Sequence, residues 1–367
     1  MQRVLISALA FDGGKSGIAN YIENVVTSLS HHLLIDLVVN EDEKHFFEHL
    51  DNITFIIVSR RFQKPLFNML WHMFVLPFKV QKSRYLWMFL PAGNRRLMLF
   101  YPIKTLVTMH DLSQFHVDDK YDAFRMFYIK KVIPFFLKKA DLIFTVSANT
   151  ADDVAHFYEM DRDQLIVNYN GVVTDSFYPL EQESKEQSPR QKSYILYVAR
   201  LEHPGKNHLN LIKAYELLSP QLKATYDLCL IGGDWNGAEV VHQYAEQSTD
   251  TQNIIFAGFV ANEDLPAYYR HASLFAFPSF YEGFGIPVVE AMASGTAVVC
   301  SNTSSLPEVG GDAALYFDPK SPQEIADAIT TALSSESKRY EMIERGYKHI
   351  KQFNWDLHAQ KLIDSAK

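Results

Sequence analysis

Glu282-Gly283-Phe284-Gly285-Ile286-Pro287-Val288-Val289-Glu290 is the stretch on which the reading of this chain turns. The run before it, Ser273-Leu274-Phe275-Ala276-Phe277-Pro278, is short and apolar and predicts a buried strand. The run after it (Val288, Val289, Ala291, Met292, Ala293) predicts an amphipathic helix. Strand, glycine-rich turn and helix start therefore follow one another. Free backbone N–H groups and the positive end of a helix dipole point at whatever binds there. An anion such as a diphosphate suits those N–H groups. Glu282 on the turn and Glu290 one helical turn in suit hydroxyls, which donate hydrogen bonds to carboxylates.

Working outward, the same alternation of apolar runs and amphipathic segments fills both halves of the 367 residues, the mark of parallel α/β architecture. In the first half, strands are expected at Val4–Ala8, Ile35–Val39, Phe55–Val58, Leu106–Met109, Leu142–Val146 and Leu165–Asn168. Helices are expected at Ile18–His32 and Phe124–Lys139. A polar stretch without periodicity, 181–193, contains Pro189 and predicts a linker. Beyond it come strands at Tyr194–Val198, Tyr226–Ile231, Ile254–Phe256, Leu274–Phe277 and Ala297–Cys300. Helical patterns at Pro322–Ser334, Ser337–Phe353 and Trp355–Ala366 close the chain. Two domains, each long enough for its own core, are implied. Cys229 and Cys300 fall in expected buried strands and read as reduced core thiols. With no disulfide framework, no signal-peptide pattern and no bilayer-length apolar run, a cytoplasmic location is the expectation.

The net charge of −8 hides a segregation. Asp51 to Asp111 encloses nine cations and no acid, and Asp122 to Asp141 encloses five more. These 14 of 35 basic residues are interleaved with Phe, Trp and Met, so 60–104 and 125–139 predict contact with an anionic membrane surface. The competing reading makes the aromatics core and the cations their solvated rim. Nucleic acid is excluded as a partner by the acidic balance and the lack of a recognised binding motif.

Three more segments carry chemistry. Arg200 and Lys206 leave the C-terminal end of the strand Tyr194–Val198, where open α/β sheets bind ligands. Arg grips a phosphate through two parallel bonds and Lys as a point charge. A solvated loop with an Arg200–Glu202 contact is the alternative. The loop Phe11-Asp12-Gly13-Gly14-Lys15-Ser16-Gly17 joins the first strand to its helix and lets backbone approach a ligand, although it has neither P-loop nor dinucleotide-fold spacing. His110-Asp111 ends the strand Leu106–Met109. Asp161-Arg162-Asp163 imitates a metal-binding triplet but lies in a polar loop, and the histidines show no zinc spacing with the cysteines.

The 22 residues PSFYEGFGIPVVEAMASGTAVV, 278–299, closely resemble the signature of the retaining glycosyltransferases of family four. The other segments match that family in order over nearly the whole chain. The resemblance implies an α/β protein of the GT-B fold, two Rossmann-like domains facing a central cleft. Residues 1–180 would form the acceptor-side domain, with a terminal helix at 354–367 packing back on it, and 194–353 the nucleotide-sugar domain. It also implies roles. Glu282 would bind donor-sugar hydroxyls, with Gly283, Phe284, Gly285 and Ile286 beside it. Glu290 would hold the ribose, and Arg200 and Lys206 the diphosphate. His110 would position the donor sugar as a catalytic partner of Glu282, and Gly17 would approach the donor from the first loop. Ser16-Gly17 stands where the family more often has two glycines, which leaves Gly17 the firmer contact. No metal and no cofactor beyond the nucleotide sugar are implied. Ser301-Asn302-Thr303-Ser304-Ser305-Leu306-Pro307-Glu308 looks most like bacterial mannosyl- and related hexosyltransferases of polysaccharide assembly, which favours GDP-mannose over UDP-hexoses or dTDP-rhamnose. A glycan or lipid-linked oligosaccharide is the implied acceptor. A sugar-nucleotide epimerase, a catalytically silent partner subunit and a sucrose- or glycogen-type synthase share the architecture and stay open here.

Overall fold

The computed structural model describes residues 2–14, 16–117, 123–180 and 186–367. Lys15 of the glycine loop and residues 181–185 of the expected linker lie outside them. The chain divides into two compact units, Met1–Gly171 with Asn354–Lys367, and Val172–Phe353. The division falls at Gly171, not at 180, for a local reason. Val172 N–H donates to Phe353 O at 3.1 Å. Ser176 O accepts from Arg270, and Tyr178 lies 4.5 Å under that guanidinium, so 172–180 belongs with the second unit. The described part of the expected linker is also held there: Glu186 pairs with Arg270, and Lys192 with Asp227 at 2.7 Å.

The first unit is a seven-stranded parallel sheet in the order β3-β2-β1-β4-β5-β6-β7. Its strands are β1 Arg3–Ser7, β2 Leu34–Asn40, β3 Ile53–Val58, β4 Met88–Leu90, β5 Thr105–Met109, β6 Leu142–Thr145 and β7 Leu165–Val167. The second is a six-stranded parallel sheet in the order β10-β9-β8-β11-β12-β13. It comprises β8 Ser193–Val198, β9 Tyr226–Ile231, β10 Ile254–Gly258, β11 Leu274–Phe277, β12 Val298–Ser301 and β13 Ala314–Phe317. Strands β5 and β9 are buried almost throughout, as sheets covered by helices on both faces require. In both sheets the first strand sits inside and the order reverses beside it. Ligands of doubly wound sheets bind at such reversals, outside the C-terminal ends of the strands. The reversals lie between β1 and β4 and between β8 and β11.

The terminal helix Trp355–Ala366 packs on the helix Gly17–Ser30 within the first unit. Gly171 makes that return possible: a Cβ there would meet Trp355 N at 2.4 Å. Asn168 donates to His358 O, and Lys104 Nζ to Ala366 O at 2.7 Å, tying both ends of the helix down. Among the described residues no helix is long and apolar enough to cross a membrane.

Candidate active site

In the second unit, the reversal between β8 and β11 collects three of the expected charged residues. The segment after β8 carries Arg200 and Lys206, and the segment after β11 carries Glu282. Lys206 Nζ meets Glu282 Oε1 at 2.7 Å across the reversal. The two segments are bound together. Phe280 N–H donates to Gly205 O, and the Asn207 side chain donates to Pro278 O at 2.9 Å and Pro319 O at 2.7 Å. Tyr197, buried in β8, donates to Lys206 O at 2.6 Å. The lysine is thus set by its own backbone and by β11. Arg200 takes the contact that spacing alone suggests: its Nε donates to Glu202 Oε2 at 2.7 Å. Its guanidinium also lies 5.1 Å from the centre of the Trp235 ring. Such a fork has five donors, so one carboxylate leaves N–H groups for an anion.

The turn 278–285 is shaped by serines that the sequence reading passed over. Glu282 N–H donates to Ser304 Oγ, and Ser305 Oγ donates to the carbonyls of Glu282 and Phe284. Gly285 has φ +101° and ends the turn; a Cβ there would meet Leu306 Cδ2 at 2.8 Å. Ile286 starts the helix Ile286–Ala293. Glu290 lies in that helix, buried, and accepts from Tyr269 Oη at 3.0 Å. Burial raises its pKa to about 7 against the opposing pull of the Tyr269 bond. Only the ionised form offers both oxygens as acceptors.

In the first unit, His110 follows β5. Its N–H donates to Asn94 Oδ1 at 2.9 Å, and its Nε2 lies 2.6 Å from Pro91 O. A carbonyl only accepts, so Nε2 carries the proton and Nδ1 is the acceptor nitrogen. Burial lowers the His110 pKa to about 4, which keeps the ring neutral near pH 7. Asp111 turns away to cap the next turn, accepting from Ser113 N–H at 3.1 Å and Ser113 Oγ at 2.7 Å. After β1, Gly13 and Gly14 have φ +71° and +81°. Ser16 caps the helix Gly17–Ser30 by accepting from Ala19 N–H, while Asp12 accepts from Ser16 N–H. The space a Cβ at Gly17 would take is open. The metal-like triplet is an exposed turn in which Asp161 accepts from Asp163 N–H.

The basic aromatic stretches divide. Trp71, Met73, Phe136 and Leu137 are core. Arg84 pairs with Asp36, Arg60 with Asp42, and Arg95 with Asp12. Arg96 turns to Asn68 and is half-buried. With Lys104 on Ala366 O, at least five of the fourteen cations are thus partnered or inward. Phe67, Leu70, Phe74, Phe78, Phe127 and Phe135 nevertheless stand exposed, Phe78 by 74%.

Residues 15–176 match the family model described as Glycosyltransferase Family 4, and residues 180–349 the one described as Glycosyl transferases group 1. Over 268 residues the chain is 34% identical to the O-antigen chain mannosyltransferase B of Escherichia coli, covering 72% of this chain and 70% of that one. The chain belongs to the family-4 glycosyltransferases. This glycosyltransferase is also 32% identical to the serotype-specific mannosyltransferase WbdA of E. coli over 274 residues, 72% of its own length but a third (33%) of the relative's. Among solved structures, a sucrose-phosphate synthase from Thermosynechococcus elongatus superposes with TM-score 0.78 at 20% identity, covering 100% of this chain and 98% of the other. The Anabaena protein HepE with UDP and glucose gives 0.75 at 18% identity, covering 100% and 99%. At such identities these two establish the fold: the two parallel-sheet units are the Rossmann-like domains of a GT-B glycosyltransferase.

Proposed function

We propose that this glycosyltransferase moves a mannosyl group from GDP-mannose to a hydroxyl of a growing glycan or lipid-linked oligosaccharide, with retention at the anomeric carbon and without a metal. One observation carries the reading: a cation, Lys206, and a carboxylate, Glu282, come from two separate loops to 2.7 Å at the strand reversal. A nucleoside diphosphate sugar needs that pairing of chemistries, a cation for the departing diphosphate and a carboxylate for sugar hydroxyls. Arg200 adds a second cation from the same strand end. Glu290 holds the ribose, and the backbone of Gly283, Phe284, Gly285 and Ile286 borders the sugar. His110, neutral with its Nε2 proton held by Pro91 O and Nδ1 left as acceptor, and the Gly17 turn are assigned to the donor sugar. Catalysis is then positioning and electrostatics, with the leaving phosphates assisting proton loss from the acceptor. The mannosyl choice is supported by the two E. coli relatives, both named as mannosyltransferases. The same protein meets its acceptor at an anionic membrane surface through the exposed apolar residues of 60–104 and 125–139.

Calorimetry with GDP, UDP and dTDP tests the donor assignment. GDP is expected to bind most tightly. Each of Arg200→Ala and Lys206→Ala removes a charge-assisted bond of roughly 1.5–3 kcal/mol, a loss of about 10- to 150-fold. Preference for UDP or dTDP would replace the donor. Wild-type affinity in the double variant would remove the diphosphate assignment, and no binding of any nucleotide would favour a silent partner subunit.

A further inference from the structure

His110 is held by more than its own strand, and the second hold reaches it from the far end of the chain. Its ring and the Tyr21 ring meet edge to face at 84°, centroids 4.6 Å apart. Edge-to-face contact of this kind is favourable and directional. Tyr21 is fully buried in the helix Gly17–Ser30, and its hydroxyl has two neighbours, Thr108 Oγ1 at 3.0 Å and His358 Nε2 at 2.9 Å. His358 belongs to the terminal helix, and its Nδ1 lies 2.8 Å from Tyr169 O. That carbonyl fixes the proton on Nδ1, so Nε2 accepts. Burial lowers the His358 pKa to about 4 and keeps the ring neutral. The directions follow along the whole chain of bonds: Thr108 donates to Tyr21, Tyr21 to His358 Nε2, and His358 Nδ1 to Tyr169. Trp355 fills the remaining side, 5.7 Å from Tyr21 and 5.5 Å from His358. Tyr21 can neither slide nor turn without leaving a buried acceptor unmet, so it forms a fixed wall against His110.

We infer that Tyr21 and His358 are positioning residues for His110, which makes the terminal helix Trp355–Ala366 part of the catalytic apparatus of the first unit. Neither touches substrate. The inference rests on the reading of His110 as the group serving the donor sugar. A misplacement of about 1 Å at a reacting centre costs on the order of 100-fold in rate.

The test uses the full-length protein at a temperature where every variant is folded. Heteronuclear NMR of the imidazole nitrogens identifies the His110 signals by their loss in His110→Gln. Turnover is followed as nucleoside diphosphate release from the sugar nucleotide that the wild type uses. In His358→Ala the His110 signals are expected to shift or double, and kcat to fall roughly 10- to 100-fold. Nucleotide affinity should stay within about threefold, because Arg200 and Lys206 lie in the other unit. His358→Gln still presents an acceptor oxygen to Tyr21 and should restore both readouts. Tyr21→Phe keeps the ring and should lose less than Tyr21→Leu. Unaltered His110 signals with wild-type kcat in His358→Ala overturn the inference, as does a lowered melting temperature alone. Wild-type kcat in His110→Gln overturns instead the role given to His110.

Discussion

Glu290 shows how a single residue can give binding a pH dependence. Its carboxyl is buried against Tyr269, and burial lifts its pKa to about 7, well above the ordinary glutamate value. In the proposed role, ribose hydroxyls would donate to the carboxylate, so nucleotide binding would select the ionised form. Affinity for GDP is therefore expected to rise as pH goes from 6 to 8, by up to about tenfold per unit below the folded pKa. Calorimetry across that range checks it. Glu290→Gln should bind more weakly and show less dependence on pH. Tyr269→Phe removes the bond that lowers the pKa and should move the midpoint upward. At the opposite end of the same turn, Gly285 combines φ +101° with a close approach to Leu306. Gly285→Ala is expected to cost about 1–3 kcal/mol in urea unfolding of the second unit, through backbone strain and crowding. It should also displace Glu282, weakening sugar-nucleotide affinity more than affinity for GDP alone.

At the scale of elements, the helix Pro65–Phe74 is the informative one. It buries Asn68, Trp71, His72 and Met73 and exposes Leu66, Phe67, Leu70 and Phe74. Phe78 stacks edge-on against Phe100 at 5.0 Å just beyond it, and Lys139 lies 4.1 Å over the exposed Phe135 ring. The reading that makes these aromatics core does not hold whole, because one short helix supplies both core and surface aromatics. Flotation with anionic vesicles at low salt is expected to recover the wild type and to lose a Phe67→Ser, Phe74→Ser, Phe78→Ser variant. Equal recovery with neutral vesicles and at high salt would remove the electrostatic component. Elsewhere, legibility followed the boundaries of apolar runs. Strands that stand as apolar runs bounded by turn residues were visible, down to the three-residue β7, and so was the helix Trp355–Ala366. β4, Met88–Leu90, was not: it lies within the aromatic-rich stretch 60–104, yet it is the strand at the reversal of the first sheet. β13, Ala314–Phe317, was also missed. The expected helix Phe124–Lys139 has a π turn at Tyr128–Val132, ahead of Pro134, which no 3.6-residue pattern announces. In the candidate site, Lys206 and Glu282, which the fold brings to 2.7 Å, were legible as parts of motifs. Tyr21, Tyr269, Ser304, Ser305 and His358 were not, since each reaches its partner only through the folded chain.

For the whole molecule, buried histidines set the response to acid. His72, His110 and His358 in the first unit have pKa values lowered to about 3, 4 and 4, each chiefly by burial. His208 in the second is lowered to about 3 for the same reason. The unfolded chain takes up these protons near pH 6.5 and the folded one does not. Their stability contribution is therefore complete above that pH and falls by about 1.4 kcal/mol per pH unit for each as pH drops toward 4. Raised carboxyls act the other way, gaining stability on acidification: Glu290 offsets His208 in the second unit, while in the first, among the described residues, the half-buried Glu23 and Glu43 oppose three histidines. Scanning calorimetry from pH 7.5 to 4.5 is expected to show the first unit's transition falling faster. A second unit that melts first on acidification would contradict this.

The return of residues 354–367 to the first unit also orders events on the ribosome. Every residue of the second unit is synthesised before Trp355 and His358 exist, so the first sheet must wait with Tyr21 unroofed while its neighbour folds. Non-local closure of this kind is slow, and the waiting state exposes apolar surface. On the proposed roles, a chain interrupted before residue 354 would carry the candidate nucleotide site of the second unit without the Tyr21–His358 bond beside His110, and would bind donor without turning it over.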